Sequence, residues 1–295
     1  MSASSSLVNP PLRRTLPDER NALVHRVKIG GHKVYITVGF YEDGTLGELF
    51  LVMAKEGSTL SGFADAFARA VSYCLQYGVP LETLVDRFSH MRFEPSGMTK
   101  HPRIGFAKSI ADYIFRWLDL KFGDLAKASR RMDVERRRPP EDRRALSHKF
   151  DIGGHQGYVT VGRYEDGKPA DLFLVMANGD SMISGFADAF ASAITIALQY
   201  GVPLETLVDR FSHMRFEPSG MTRHPKIRFA KSIVDYVFRW LAIEFLSPEA
   251  RFCAGVNGEK EPVHGDRKCD DCDAVMYRNG HGYKCPNCGT YIPDP

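Results

Sequence analysis

The 295-residue chain carries no run of about 18 uninterrupted apolar residues, the length a bilayer-spanning helix needs. Its N-terminus, "MSASSSLVNPPLRR", lacks the apolar stretch of a secretory signal. That segment (residues 1–12) reads as a flexible lead-in, and a cytoplasmic chain without a membrane partner is expected. The net charge is only +3, too small to argue for nucleic acid from global charge. There is no Walker-type loop and no GxGxxG, and no nucleophile stands beside an evident base. Two tryptophans and six cysteines complete the scarce residues.

What is abundant is repetition. "LQYGVPLETLVDRFSHMRFEPSGMT" occurs at Leu75–Thr99 and again at Leu198–Thr222, identical in all 25 positions at an offset of 123. The register holds from Arg13/Arg136 to Leu118/Leu241, through "GGH", "YEDG", "SGFADAFA" and "FAKSI". Solenoid units are roughly 20–50 residues, so this period denotes two copies of a small domain.

Within a copy, Val34, Ile36 and Val38 alternate with Tyr35, Thr37 and Gly39 as in a strand. "YEDG" supplies a tight turn, and "ELFLVMA" reads as a second, more buried strand. Phe63, Phe67, Ala70, Val71, Cys74 and Leu75 then form a helical stripe that Gly78 and Pro80 end. Leu81, Leu84, Val85 and Phe88 predict a short second helix; Phe106, Ile110, Tyr113, Ile114, Trp117 and Leu118 predict a third. The expected fold is α+β: two strand-then-helix domains (13–127 and 145–250) packed as a pseudo-twofold pair, with a C-terminal tail over 251–295. Between them "ASRRMDVERRRPPEDRR" (128–144) holds seven Arg, two Asp and two Glu. It reads as a solvated linker, or, through Arg136, Arg137 and Arg138, as a contact to an anionic partner.

The tail segment "CDDCDAVMYRNGHGYKCPNCG" places Cys269, Cys272, Cys285 and Cys288 as CxxC-x12-CxxC. Two such pairs brought together by a hairpin give the four-thiolate tetrahedron of a structural zinc ribbon. The competing reading is a redox dithiol. His281 reads as a turn residue, Cys74 as core because its counterpart is Ala197, and Cys253 has no assigned role.

Two further patterns suggest sites. "KEGSTLSG" opens the first helix, where Ser58, Thr59 or Ser61 can cap it or help hold an anion. The second copy has Asn178 and Asp180 in place of Lys55 and Gly57, so the first copy is the better anion site. "FSHMRFEPSG" sets His90, Arg92 and Glu94 at alternating positions, repeated as His213, Arg215 and Glu217. On an extended segment these would share a face, as an acid–base cluster or as an Arg92–Glu94 salt bridge.

The pattern "YITVGFYEDG…GELFLVMAKEGSTLSGFADAFARAVSYCLQYGVPLETLVDRFSHMRFEPSG…AKSIADYIFRWL" with the cysteine-rich tail resembles the C-terminal region of cobalamin-dependent (class II) ribonucleotide reductases, their TSCPD domain. The resemblance implies kinship with enzymes that make deoxyribonucleotides by adenosylcobalamin radical chemistry. It also implies that the barrel bearing the radical cysteine and cobalamin lies elsewhere, since nothing here resembles it. Two features depart from the family: the Thr-Ser-Cys-Pro-Asp signature is missing, and "GTYIPDP" follows Cys288. The expected role is that of an accessory or non-catalytic relative partnering a reductase catalytic chain. The alternatives are a nucleotide- or nucleic-acid-binding module and a dithiol electron donor.

Overall fold

In a computed structural model the chain is described over residues 12–53, 57–128, 135–177, 181–256, 267–271, 275–278, 282–285 and 289–293. The lead-in (1–11), residues 129–134, and the tail positions Cys272, His281 and Cys288 lie outside the described residues, as do Asn178 and Asp180.

Each copy is one lobe. The first begins with β1 (Ala22–Ile29), β2 (His32–Phe40) and β3 (Leu46–Met53), an antiparallel meander in the order β1-β2-β3. One face of this sheet, with Ile29, Val34, Ile36, Val38 and Leu49, is fully buried; the opposite face exposes Val24, Phe50 and Val52. Against the buried face packs α1 (Ser58–Gln76), whose Phe63, Phe67, Ala70, Val71 and Cys74 have no exposed surface. Gly78 ends this helix with φ 84°, a left-handed conformation open to glycine at no steric cost. There follow α2 (Leu81–Phe88), a hairpin of β4 (Gly97–His101) and β5 (Ile104–Ala107), and α3 (Ile110–Ala128). Phe106, expected on the third helix, lies instead on β5 and is half exposed.

The second lobe repeats the order: β6 (Ala145–Ile152), β7 (His155–Arg163), β8 (Pro169–Met176), α4 (Ser181–Gln199), α5 (Leu204–Phe211), β9 (Gly220–His224), β10 (Ile227–Ala230) and α6 (Ile233–Phe245). A short α7 (Pro248–Cys253) leads to the tail, with β11 (Tyr277–Arg278), β12 (Gly282–Lys284) and β13 (Tyr291–Pro293).

The lobes meet along α1 and α4. Phe67 lies 6.2 Å from Phe186 by ring centroids, and one turn-pair further on Cys74 donates to the Ala193 carbonyl at 3.5 Å. The helices therefore run side by side in the same direction. The contacts are reciprocal: Tyr77 Oη donates to Thr206 Oγ1 at 3.4 Å, and Thr83 Oγ1 bonds Tyr200 Oη at 2.9 Å. One apolar core runs through both lobes. Within α4, Met182–Gln199 is apolar enough by length and composition to cross a membrane, yet 61% of that window is buried in the protein. That is the signature of a core helix at an interface.

The segment 135–144 is mostly exposed, yet some of its arginines are anchored to the second lobe. Arg136 Nε donates to Gln199 Oε1 at 2.8 Å, and the Arg137 backbone N–H donates to the Gln199 carbonyl at 2.9 Å. The Arg137 guanidinium lies 3.7 Å over the Tyr164 ring and pairs with Asp166 at 2.9 Å. Arg13 and Arg14 make the matching contacts with Gln76, Tyr41 and Asp43 in the first lobe. Arg13, Arg14, Arg136 and Arg137 thus clip each lobe's leading arm to its own helix and hairpin, while Arg138 is exposed.

Candidate functional site

The two polar patterns singled out in the sequence meet in trans. Ser58, at the start of α1, accepts a hydrogen bond from the Glu217 backbone N–H of the other lobe at 3.0 Å. It does not cap its own helix: Gly57 occupies the N-cap and supplies no side-chain bond, and the Ser61 N–H reaches the Gly57 carbonyl at 3.1 Å. Thr59 and Ser61 are partly buried beside it.

The neighbouring glycines explain the motif "SGFADAFA". A Cβ on Gly62 would stand under 3.0 Å from ring carbons of Phe216, and one on Gly185 equally close to Phe93. The same phenylalanines stack edge-on with Phe63 (5.5 Å) and Phe186 (5.3 Å). "SGF" of each lobe is thus a socket for "RFEP" of the other.

His90 and His213 do not sit on an extended strand. Both adopt φ near +70°, and their backbone N–H groups donate to Asp112 and Asp235, each at 2.7 Å. Those aspartates have no exposed surface, and each also receives the Lys108 or Lys231 N–H and an arginine, Arg116 or Arg239. Alternation therefore fails at the histidine. The left-handed turn takes His90 and His213 off the shared extended face, although His213 and Arg215 still line one cavity. Glu94 and Glu217 grip Ser96 and Ser219 two residues on, through backbone N–H and hydroxyl donors at 2.8–3.1 Å. Arg92 and Arg215 are exposed.

On the second lobe the tail covers this turn. Lys284 Nζ, 5% exposed as a residue, pairs with Asp209 on α5 at 2.5 Å, and Gly289 lies against the His213 ring. Burial first, then the Lys231 ammonium, holds the His213 imidazole down at about 4. A cavity of about 380 Å³ opens where the three parts join, lined by Gly62, Asp65 and Arg69 of α1, by Asp209, Arg210, His213 and Arg215 of the second lobe, and by Gly289. Burial also lowers the Arg210 guanidinium there. In the first lobe Asp86 and His90 occupy the equivalent positions and are exposed.

A family model for the TSCPD domain matches residues 10–122 and again residues 130–245. The chain belongs to the TSCPD domain family. A vitamin B12-dependent ribonucleotide reductase of Rhodopirellula baltica is 50% identical over 134 residues, covering 43% of this chain and 13% of that protein. Another, of Bradyrhizobium diazoefficiens, is 32% identical over 295 residues, covering 94% of this chain and 22% of that protein. The chain thus spans less than a quarter of the length of either relative. No solved structure matches it.

In the tail behind the TSCPD lobes, Cys269 and Cys285 are both buried, as thiols, in one small core with Met276. The Gly289 N–H closes a turn onto the Cys285 carbonyl at 3.0 Å, and the Cys285 N–H reaches Thr290 at 2.8 Å. Among the described residues no set of three possible metal ligands converges, and the other two candidate cysteines, Cys272 and Cys288, lie outside them. Among the described residues, neither of the two lobe cavities encloses a volume on the scale of adenosylcobalamin. Cavities of about 390 and 380 Å³ are at the small end of sites for drug-sized ligands, and a corrinoid with its nucleotide and adenosyl arms is several times larger. Sequence reasoning missed the trans pairing of the motifs, for which the only signal was that both recur in each copy. It also missed Asp112 and Asp235, which stand in the first turns of α3 and α6.

Proposed function

We propose that this chain is a non-catalytic accessory protein of a vitamin B12-dependent ribonucleotide reductase: a fused pair of TSCPD lobes that docks on the catalytic chain. The observation that carries the reading is its likeness, over both lobes, to a minor fraction of reductases that bear that name. Burial supports it too. Cys74, the one cysteine of the lobe cores, sits between the helices with no exposed surface and its thiol pushed up to about 12, unsuited to disulfide exchange.

Cys269, Cys272, Cys285 and Cys288 would hold one zinc ion. Four thiolates leave no open coordination position, so the ion's work is structural: it locks the tail into the shape that seats Lys284 on Asp209. A tail of this kind is a docking element, not an electron relay. Zinc analysis should give one ion per chain with no ribbon thiol open to alkylation; reactive thiols without metal would favour the dithiol donor.

The decisive assay mixes purified chain with adenosylcobalamin, a dithiol and ribonucleoside diphosphates. Turnover is expected to stay at background, and turnover above it overturns the non-catalytic reading. Sedimentation with a B12-dependent reductase catalytic chain trimmed of its own TSCPD region should show co-migration; independent migration refutes docking.

A further inference from the structure

The duplicated lobes differ in charge at one cavity of the first lobe. In the first lobe a cavity of about 390 Å³ opens between the β1–β2 ladder and the β4–β5 hairpin. Arg26, Lys28, Lys33 and Lys100 line it together with His25 and His101, and no acidic side chain is among its walls. None of the four cations makes an ion pair among the described residues. Lys28 stands directly opposite Lys33 in the β1–β2 register, a like-charge pair that costs the sheet stability.

The second lobe has relieved that repulsion. Its equivalents are Lys149, Asp151, Gln156 and Arg223: two cations and one carboxylate in place of four cations. Asp151 and Gln156 face each other in the same register, and Gln156 Nε2 donates to Asp151 Oδ2 at 3.1 Å. A neutral, hydrogen-bonded solution for this spot is therefore available to the same fold, a few residues' change away. The first lobe keeps the repelling one at the mouth of a concavity, with a third lysine brought in from a separate hairpin.

We propose that this cavity is a binding site for a polyphosphate group, two or three linked phosphates as on a nucleoside di- or triphosphate. Convergent point charges from two elements neutralise adjacent phosphates, and the repulsion between Lys28 and Lys33 is relieved only when an anion sits between them. A single phosphate would leave most of the charge uncompensated. Tyr113, in the cavity wall, is almost fully buried, and the four cations dominate the walls, so recognition is assigned to the phosphates. The site stands apart from the accessory reading and does not need it.

The test is calorimetric titration of the full chain with sodium tripolyphosphate at low salt. Saturable binding at one site per chain is expected. The double variant K28D/K33Q, which copies the second lobe's own pair, should weaken it at least tenfold without lowering the urea midpoint. The reciprocal D151K/Q156K should add a second site. Equal affinity in wild type and K28D/K33Q, or no saturable binding at all, overturns the proposal. A single-stranded oligothymidylate that displaces tripolyphosphate at lower phosphate concentration, in a Lys28- and Lys33-dependent way, reassigns the surface to a nucleic-acid backbone and overturns it as well.

Discussion

Gly62→Ala should destabilise the protein, and the reason is testable by reversing its sign. Position 62 is interior to α1, where alanine is ordinarily favoured over glycine by about 1 kcal/mol. Here the added methyl meets the Phe216 ring from the other lobe at under 3.0 Å, and that ring is 7% exposed with nowhere to retreat. Overpacking of this severity costs about 3 kcal/mol, the upper part of its usual range. The net expectation is about 2 kcal/mol of destabilisation. Phe216→Ala alone costs about 3–5 kcal/mol by opening a cavity. In the Phe216→Ala background, however, the clash is gone and only helix propensity remains, so Gly62→Ala should stabilise by about 1 kcal/mol. The coupling of about 3 kcal/mol is far outside the few tenths seen for independent sites. Urea unfolding followed by Trp117 and Trp240 fluorescence, one tryptophan per lobe, reads all four proteins. Additive effects, with Gly62→Ala destabilising in both backgrounds, would refute the trans socket.

Acidification should weaken the fold below the ordinary imidazole value of 6.5: burial lowers His25, His148 and His224, so the unfolded chain takes up protons first, and stability is full above 6.5 and declines beneath it. Urea midpoints at about pH 7.5 and about pH 5.5 measure this, and a His25→Asn/His148→Asn variant should show a flatter decline. Lys284→Ala should release the tail from α5, seen as faster protease cleavage of the tail while the lobes' unfolding midpoint is unchanged. Cys74 should resist iodoacetamide in the native protein at mildly alkaline pH and react at once in urea, because its thiol is raised to about 12 and has no exposed surface.

Much of the lobe was legible in the sequence. The stripe Phe63–Leu75 became α1, with Leu75 only partly buried at its edge, and "YEDG" became the turn between β2 and β3 because local periodicity and turn chemistry both pointed there. Exact repetition announced a paired structure, and the reciprocal contacts of Tyr77 with Thr206 and of Thr83 with Tyr200 supply the pairing. Three things were not legible. β1 went unread because Gly30 and Gly31, at φ 52° and 91°, form a turn too short to register in periodicity. The contacts of Arg136 and Arg137 were not legible because their partners, Gln199 and Asp166, are distant in sequence. The His-Arg-Glu alternation assumed extended backbone, and a left-handed histidine held by a buried aspartate defeats that assumption.

The fused pair has an evolutionary latitude that a symmetric assembly of two identical chains lacks. In such an assembly every substitution lands on both halves at once, so a mutually repelling lysine pair or a covered turn must be tolerated twice. Joining the halves into one polypeptide lifts that constraint. One half can then surrender its turn to the tail and settle its strand charges, while its twin keeps both the open turn and the uncompensated lysines for other duties.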